Sequence, residues 1–267
     1  MTSTVRRLRD AEEIARVGAG EFAEAAREAV RERGRFCVAL SGGDTPRRLH
    51  RQLAAASAEG ARSEPKASEG GPPQGLKVDW SRAEIFLGDE RAVPPEHPES
   101  NYRMARETLL DPAGIDPVHV HRVDTEVPNL DVVARDYEAE IGRVLGVEPG
   151  GPPPSLDLVI LGLGADGHTA SLFPHSSALS ESRRWVVPNE APGLTRRITM
   201  TFPLLLRARR VLVLVEGDSK TRALREVLEG TWNPEQFPAQ RLREARDVRW
   251  LVDAAAASGL RAAARPA

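Results

Sequence analysis

A single cysteine, Cys37, is all this chain contains. One cysteine closes no internal disulfide, so a disulfide-stapled scaffold is excluded. Its place in the apolar run "RFCVAL" suits a buried structural residue in a reducing cytoplasm, which is the expected location. Charge of one sign is also missing. Lys+Arg totals 37 against 39 Asp+Glu, which gives no general case for nucleic acid or an anionic membrane as partner. No stretch approaches the roughly 20 apolar residues of a membrane span. The first twenty residues hold no apolar segment of the signal-peptide kind. Repeats of solenoid period and a helix-turn-helix pattern are absent too. Lysine occurs only at Lys66, Lys77 and Lys220, which makes each of them slightly more informative.

What is present is strands interleaved with helices. "AEEIARVGAGEFAEAAREAVRERG" carries apolar residues at helical spacing and stops at Gly34. "RFCVAL", "AEIFLG", "VHVHRV", "LDLVILG", "RRWVVP", "RRITMTF", "RRVLVLVEG" and "VRWLVD" read as strands. "SNYRMARETLL", "NLDVVARDYEAEIGRVLG" and "SKTRALREVLEG" read as helices, and a further helix is expected after "VRWLVD". In "SGGDTPRRLHRQLAAA", Thr45 is the expected N-cap, with Pro46 first in the helix. Residues 57–75, rich in Gly, Pro, Ser and charge, read as a flexible loop insertion inside one domain spanning 1–267. Apolar strands without alternation argue for an α/β fold: a single three-layer domain, its mostly parallel sheet covered by helices on both faces. Loops then gather at the carboxyl ends of the strands, where such sheets bind ligands.

Three of those loops carry chemistry. "GLGADG" matches the dinucleotide fingerprint GxGxxG through Gly162, Gly164 and Gly167. A dehydrogenase needs a full crossover helix next, yet "HTASLFP" reaches Pro174 within two turns, and His168 stands where apolar packing is expected. "SGGDTP" is the better phosphate candidate. Gly42 and Gly43 free the backbone N–H groups to face an anion, Ser41 and Thr45 offer hydroxyls, and a helix N-terminus follows. No Gly-Lys-Ser/Thr succeeds it, so a phosphate monoester fits better than a nucleoside triphosphate. Read alone, the turn serves equally well as an ordinary strand-to-helix connection. "GDERAVPPEHPESN" places Asp89, Glu90 and Arg91 at a strand end, in a loop stiffened by Pro94, Pro95 and Pro98. Arg197 and Lys220 add cations near two further strand ends. Surface charge is the plainer reading of Lys220, as it is of His97.

Together "ALSGGDTP", "FLGDERAVPPEHPESNYRMARETLL", "VHVHRV", "LVILGLGADGHTASLFP", "RRITMTFPLLLRARRVLVLVEGDSK" and "FPAQ" with the tail "WLVDAAAA" resemble the 6-phosphogluconolactonases, relatives of the glucosamine-6-phosphate deaminases. The resemblance spans nearly the whole chain. The deaminases carry a catalytic glutamate in a segment like "DGHIAFNEP"; here Phe173 stands at that position, and a phenyl ring exchanges no proton. At Arg91 the deaminases usually have a tyrosine.

The resemblance implies hydrolysis of 6-phospho-D-glucono-1,5-lactone to 6-phosphogluconate, in the oxidative pentose phosphate route. A δ-lactone is an activated ester, so an oriented water and a stabilised oxyanion suffice, and neither metal nor cofactor is expected. His168 is the expected general base, and Arg91 the expected oxyanion partner or, equally, a phosphate ligand. Asp166 either orients the imidazole or only shapes the turn. Ser41, Gly42, Gly43 and Thr45 with Arg197 and Lys220 are expected to hold the phosphate, and Asp89 and Glu90 are expected among the substrate- or phosphate-binding residues. The expected partner is thus a small sugar-phosphate lactone, bound by a monomer or homodimer, with no nucleic acid or membrane. The competing readings are a deaminase-like sugar-phosphate enzyme and a non-catalytic sugar-phosphate-binding regulator.

Overall fold

In the computed structural model, residues 2–60, 76–190, 193 and 195–261 are described. The strands are β1 (Thr2–Leu8), β2 (Phe36–Leu40), β3 (Ala83–Leu87), β4 (Asp89–Arg91), β5 (Val120–His121), β6 (Leu158–Gly162), β7 (Val186–Asn189), β8 (Arg197–Met200), β9 (Arg210–Val215) and β10 (Asp247–Asp253). The helices are α1 (Ala11–Arg33), α2 (Asp44–Gly60), α3 (Asn101–Ala105), α4 (Leu130–Leu145), α5 (Phe202–Leu205) and α6 (Thr221–Glu229). Seven strands form an all-parallel sheet in the order β1-β10-β9-β6-β2-β3-β5.

Two apolar layers hold helices to its two faces, and alternate residues of one strand serve both. Val38 and Leu40 of β2, with Leu158 and Ile160 of β6, meet α1 and α2 through Ile14, Phe22, Leu49 and Leu53. Ala39, Val159 and Leu161 meet α4, α5 and α6 through Tyr137, Ile141, Phe202 and Leu224. Burial on both faces explains why these strands read as unbroken apolar runs. Helix α1 has the expected limits. Asp10 accepts from the Glu13 N–H at 2.9 Å, and Gly34 closes the helix at φ 76°.

Several local expectations are corrected. Strand β1 had no sequence signal because Thr2 to Arg7 are all exposed, yet it pairs with β10 over seven residues at the sheet edge. Strands β4, β8 and β7 stand apart as a small antiparallel sheet. The helix expected over 100–110 is α-helical only from Asn101 to Ala105 and continues as π-helix over Arg106–Leu110. After β10 there is only a 3₁₀ turn, Ala256–Gly259. The expected loop begins too early: residues 57–60 complete α2, where Ser57 accepts from Trp80 Nε1 at 2.9 Å. Residues 61–75 lie outside the described residues.

The chain fills the sheet outward from β2 through β3 to β5, then restarts at β6 and proceeds through β9 to β10. Neighbouring β2 and β6 are therefore the point where the strand order reverses, and loops leaving them diverge around a crevice. "SGGDTP" follows β2 and "GLGADGH" follows β6. The β3–β4 loop and the residues after β9 flank them on either side.

Candidate active site

A cavity of about 420 Å³ opens at this crevice. Ser41, Gly42, Gly43, Thr45, Asp89, Arg91, His168 and Lys220 line it. Residues from four strand ends therefore meet where parallel packing requires them to. Glu90 and Arg197 do not line it.

The base loop is built from hydrogen bonds within a few residues. Gly164 N–H donates to His168 O at 2.9 Å, and Gly167 N–H to Gly164 O at 3.0 Å. Asp166 Oδ1 accepts from the His168 N–H at 3.1 Å and lies 2.6 Å from His168 Nδ1. The carboxylate thus both shapes the turn and holds the ring. Nε2 has no hydrogen-bond partner among the described residues. Burial pushes the Asp166 pKa up, but hydrogen bonding and the charge of His168 outweigh it and leave the carboxyl below its usual range. Gly164 must be glycine, since any Cβ would collide with the imidazole. Phe173 is buried against that imidazole, ring centroids 4.7 Å apart. No helix follows Gly167. Residues 168–176 make turns and one Thr169–Leu172 bridge, so the dinucleotide reading has no crossover helix to rest on.

At the phosphate turn the helix begins two residues earlier than expected, at Asp44. Gly43, at φ 107°, accepts from Arg47 N–H at 3.1 Å and is the true N-cap. Thr45 lies in the first turn and donates its hydroxyl to Glu216 Oε2 at 2.9 Å. Gly42 is pressed against Asn101, and a Cβ there would collide with the amide oxygen. Ser41 is nearly buried. Lys220 makes no ion pair among the described residues.

The "DER" triplet divides into three roles. Asp89 lines the cavity but also ties two loops together, accepting from Ser171 Oγ at 2.6 Å and Asn101 Nδ2 at 3.3 Å. Glu90 corrects the expectation of a ligand contact. Its carboxylate is 2% exposed and accepts from the N–H groups of Arg91, Asn101 and Tyr102, each at 2.7 Å, and from Ser100 Oγ at 3.1 Å. Burial raises its pKa and the charge of Asp89 adds to this, against those three N–H donors. It anchors the N-terminus of α3. Arg91 faces the cavity and donates to Glu99 O. Arg197 is its register partner across β4 and β8, so two guanidinium groups share one face. Burial first, then the charge of Arg91, make the cationic form of Arg197 less favourable than usual. Both Nε atoms are buried without a hydrogen-bond partner among the described residues.

Sequence reasoning missed Asn101, Ser171 and Glu216. The N-cap Ser100 marks where α3 begins, but nothing local shows that the next residue reaches Gly42 and Asp89. Their roles arise only from loops distant in the chain.

The family model for glucosamine-6-phosphate isomerases/6-phosphogluconolactonase matches residues 9–250. A 6-phosphogluconolactonase of Synechocystis is 38% identical over 234 residues, covering 88% of each chain. The solved structure of 6-phosphogluconolactonase from Trypanosoma cruzi superposes with a TM-score of 0.80 at 30% identity, covering 97% of both chains. A monomeric glucosamine-6-phosphate deaminase shares the fold at TM-score 0.76 and 23% identity, covering 96% of this chain and 99% of its own. With its parallel sheet, its crevice loops and a match along most of its length, the chain belongs to the glucosamine-6-phosphate isomerase/6-phosphogluconolactonase family.

Proposed function

We propose that this chain hydrolyses 6-phospho-D-glucono-1,5-lactone to 6-phosphogluconate, the activity for which its relatives are named. The observation that carries this reading is His168: Nδ1 held by Asp166, Nε2 unpartnered, on a cavity shared with a glycine turn and cations. Phe173 favours it over deaminase chemistry, because a ring that exchanges no proton packs against the imidazole.

A water attacks C1 of the lactone and loses a proton to His168 Nε2. The carbonyl oxygen becomes an oxyanion, which Arg91 stabilises. The intermediate collapses, the bond from C1 to the ring oxygen breaks, and the imidazolium returns its proton to that oxygen. Asp166 keeps Nδ1 protonated, so that Nε2 is the basic nitrogen throughout. Ser41, the Gly42–Gly43 backbone and Lys220 hold the phosphoryl group at the N-terminus of α2. Arg197 adds charge to the same field, and the repulsion between it and Arg91 is relieved by a dianion. The partner is a small lactone, and the lone buried Cys37 suits a reducing cytoplasm. Among the described residues no helix is long and apolar enough to cross a membrane.

The direct test is lactone hydrolysis measured against spontaneous opening, alongside ammonia release from glucosamine 6-phosphate. Acceleration of the first with none of the second is expected; the reverse pattern sinks the proposal. Arg197→Ala is expected to raise KM about tenfold with kcat nearly unchanged, as for lost uniform binding. An unchanged KM would remove Arg197 from the phosphate field.

A further inference from the structure

The proposed chemistry uses the base loop but leaves the "FPAQ" segment without a role. This segment lies against that loop. Phe237 sits over Gly167, where a Cβ would come within 2.7 Å of its ring and 3.1 Å of its Cα. Gly167 has φ 87°, so any other residue would be strained there as well. Ala239 N–H donates to Gly167 O at 3.0 Å.

That last bond reaches the imidazole through one rigid unit. Gly167 C=O and His168 N–H belong to the same planar peptide. Ala239 holds its oxygen and Asp166 Oδ1 accepts from its N–H. Its orientation sets the direction of the His168 Cα–Cβ bond. The segment holding the oxygen is itself stiff. Gln240 is fully buried; its Nε2 donates to Glu226 O at 2.8 Å and Thr231 O at 2.9 Å, and its Oε1 accepts from Asn233 N–H at 2.6 Å. Further along the base loop, His175 N–H donates to Glu235 O at 3.2 Å.

We infer that residues 233–240 are a brace that fixes the aim of His168, with Phe237 as a positioning residue clamped over Gly167. The inference rests on the lactonase reading for its kinetic readout but not for its structural one. Phe237 is not among the residues that line the cavity.

The test uses the full chain with Phe237→Ala, Phe237→Leu, Gly167→Ala and the double variant Gly167→Ala/Phe237→Ala. The first readout is the downfield NMR resonance of His168 Nδ1–H, which reports the bond to Asp166 without any reaction. It is expected in the unsubstituted chain, lost or broadened in Phe237→Ala, and restored in Phe237→Leu. The second is kcat per 6-phosphogluconate-binding site. It is expected to fall roughly 10- to 100-fold in Phe237→Ala, with KM within threefold, and to recover in Phe237→Leu. Gly167→Ala is expected to cost at least fivefold less once Phe237 is gone, because part of its cost is the collision. A resonance and a kcat that survive Phe237→Ala overturn the brace. So does a loss that Phe237→Leu fails to rescue, or strict additivity in the double variant. If the unsubstituted chain opens no lactone while the resonance behaves as expected, the brace stands and the hydrolase reading falls.

Discussion

His168→Ala is expected to lower kcat by about 10²- to 10⁴-fold, the usual contribution of a positioned acid–base group. The upper part of that range is favoured because, in the proposed mechanism, one imidazole serves twice, first taking the water proton and then protonating the ring oxygen. Binding should survive. In the proposed site the anion grip comes from the β2 turn, Arg91 of β4 and Lys220 beyond β9, elements separate from the imidazole loop. Titration of the variant with 6-phosphogluconate should therefore give a Kd within a few-fold of the unsubstituted chain. Asp166→Asn should lose less, about tenfold or more, because the base remains but its tautomer is no longer enforced. Wild-type kcat in His168→Ala would end the base assignment. Loss of product binding together with kcat would point to a structural role for the imidazole.

How much of this was legible in the sequence depends on the range of the interactions. Ser41 to Thr45, Asp89 to Arg91 and Gly162 to His168 each follow a strand whose apolar run announces it, and parallel strands send such loops to one edge. That placement needs no knowledge of strand order, and the structure puts most of these residues on one cavity. Contacts between loops were out of reach. Glu90 shares its type and neighbours with Asp89, and only the fold shows that its carboxylate turns inward to cap α3. Asp166 could be read as turn-former or ring-holder from its spacing, and the structure shows one oxygen doing both. Thr45 looked like an N-cap because Pro follows it, yet Gly43 at positive φ ends the turn sooner and leaves the hydroxyl to Glu216. Strand β1 was hidden because a sheet-edge strand exposed on both faces has no hydrophobic period to read.

The second large effect is on stability, and it comes from a histidine outside the site. His50 on α2 is fully buried against the π-helical turn, with Nδ1 3.2 Å from Thr108 Oγ1. That hydroxyl gives its proton to Met104 O at 2.6 Å, so it accepts from His50, which must carry its proton on Nδ1. Nε2 is then a buried lone pair with no partner among the described residues. Burial, with the Arg47 charge adding to it, lowers the imidazole pKa from an ordinary 6.5 to about 3. The folded state therefore refuses a proton that the unfolded chain accepts. The contribution to stability is complete above about pH 6.5 and is lost as pH falls from there toward 3. Its slope is about 1.4 kcal/mol per pH unit and its total roughly 5 kcal/mol, a large part of a typical domain's stability. Urea unfolding at pH 7, 5.5 and 4.5 should show the midpoint falling steeply. His50→Asn keeps a donor for Thr108 but has nothing to titrate, so its unfolding free energy should fall by about 1.4 kcal/mol less per pH unit. Equal slopes in the two proteins would mean that acid sensitivity arises elsewhere and that the buried imidazole finds a way to charge.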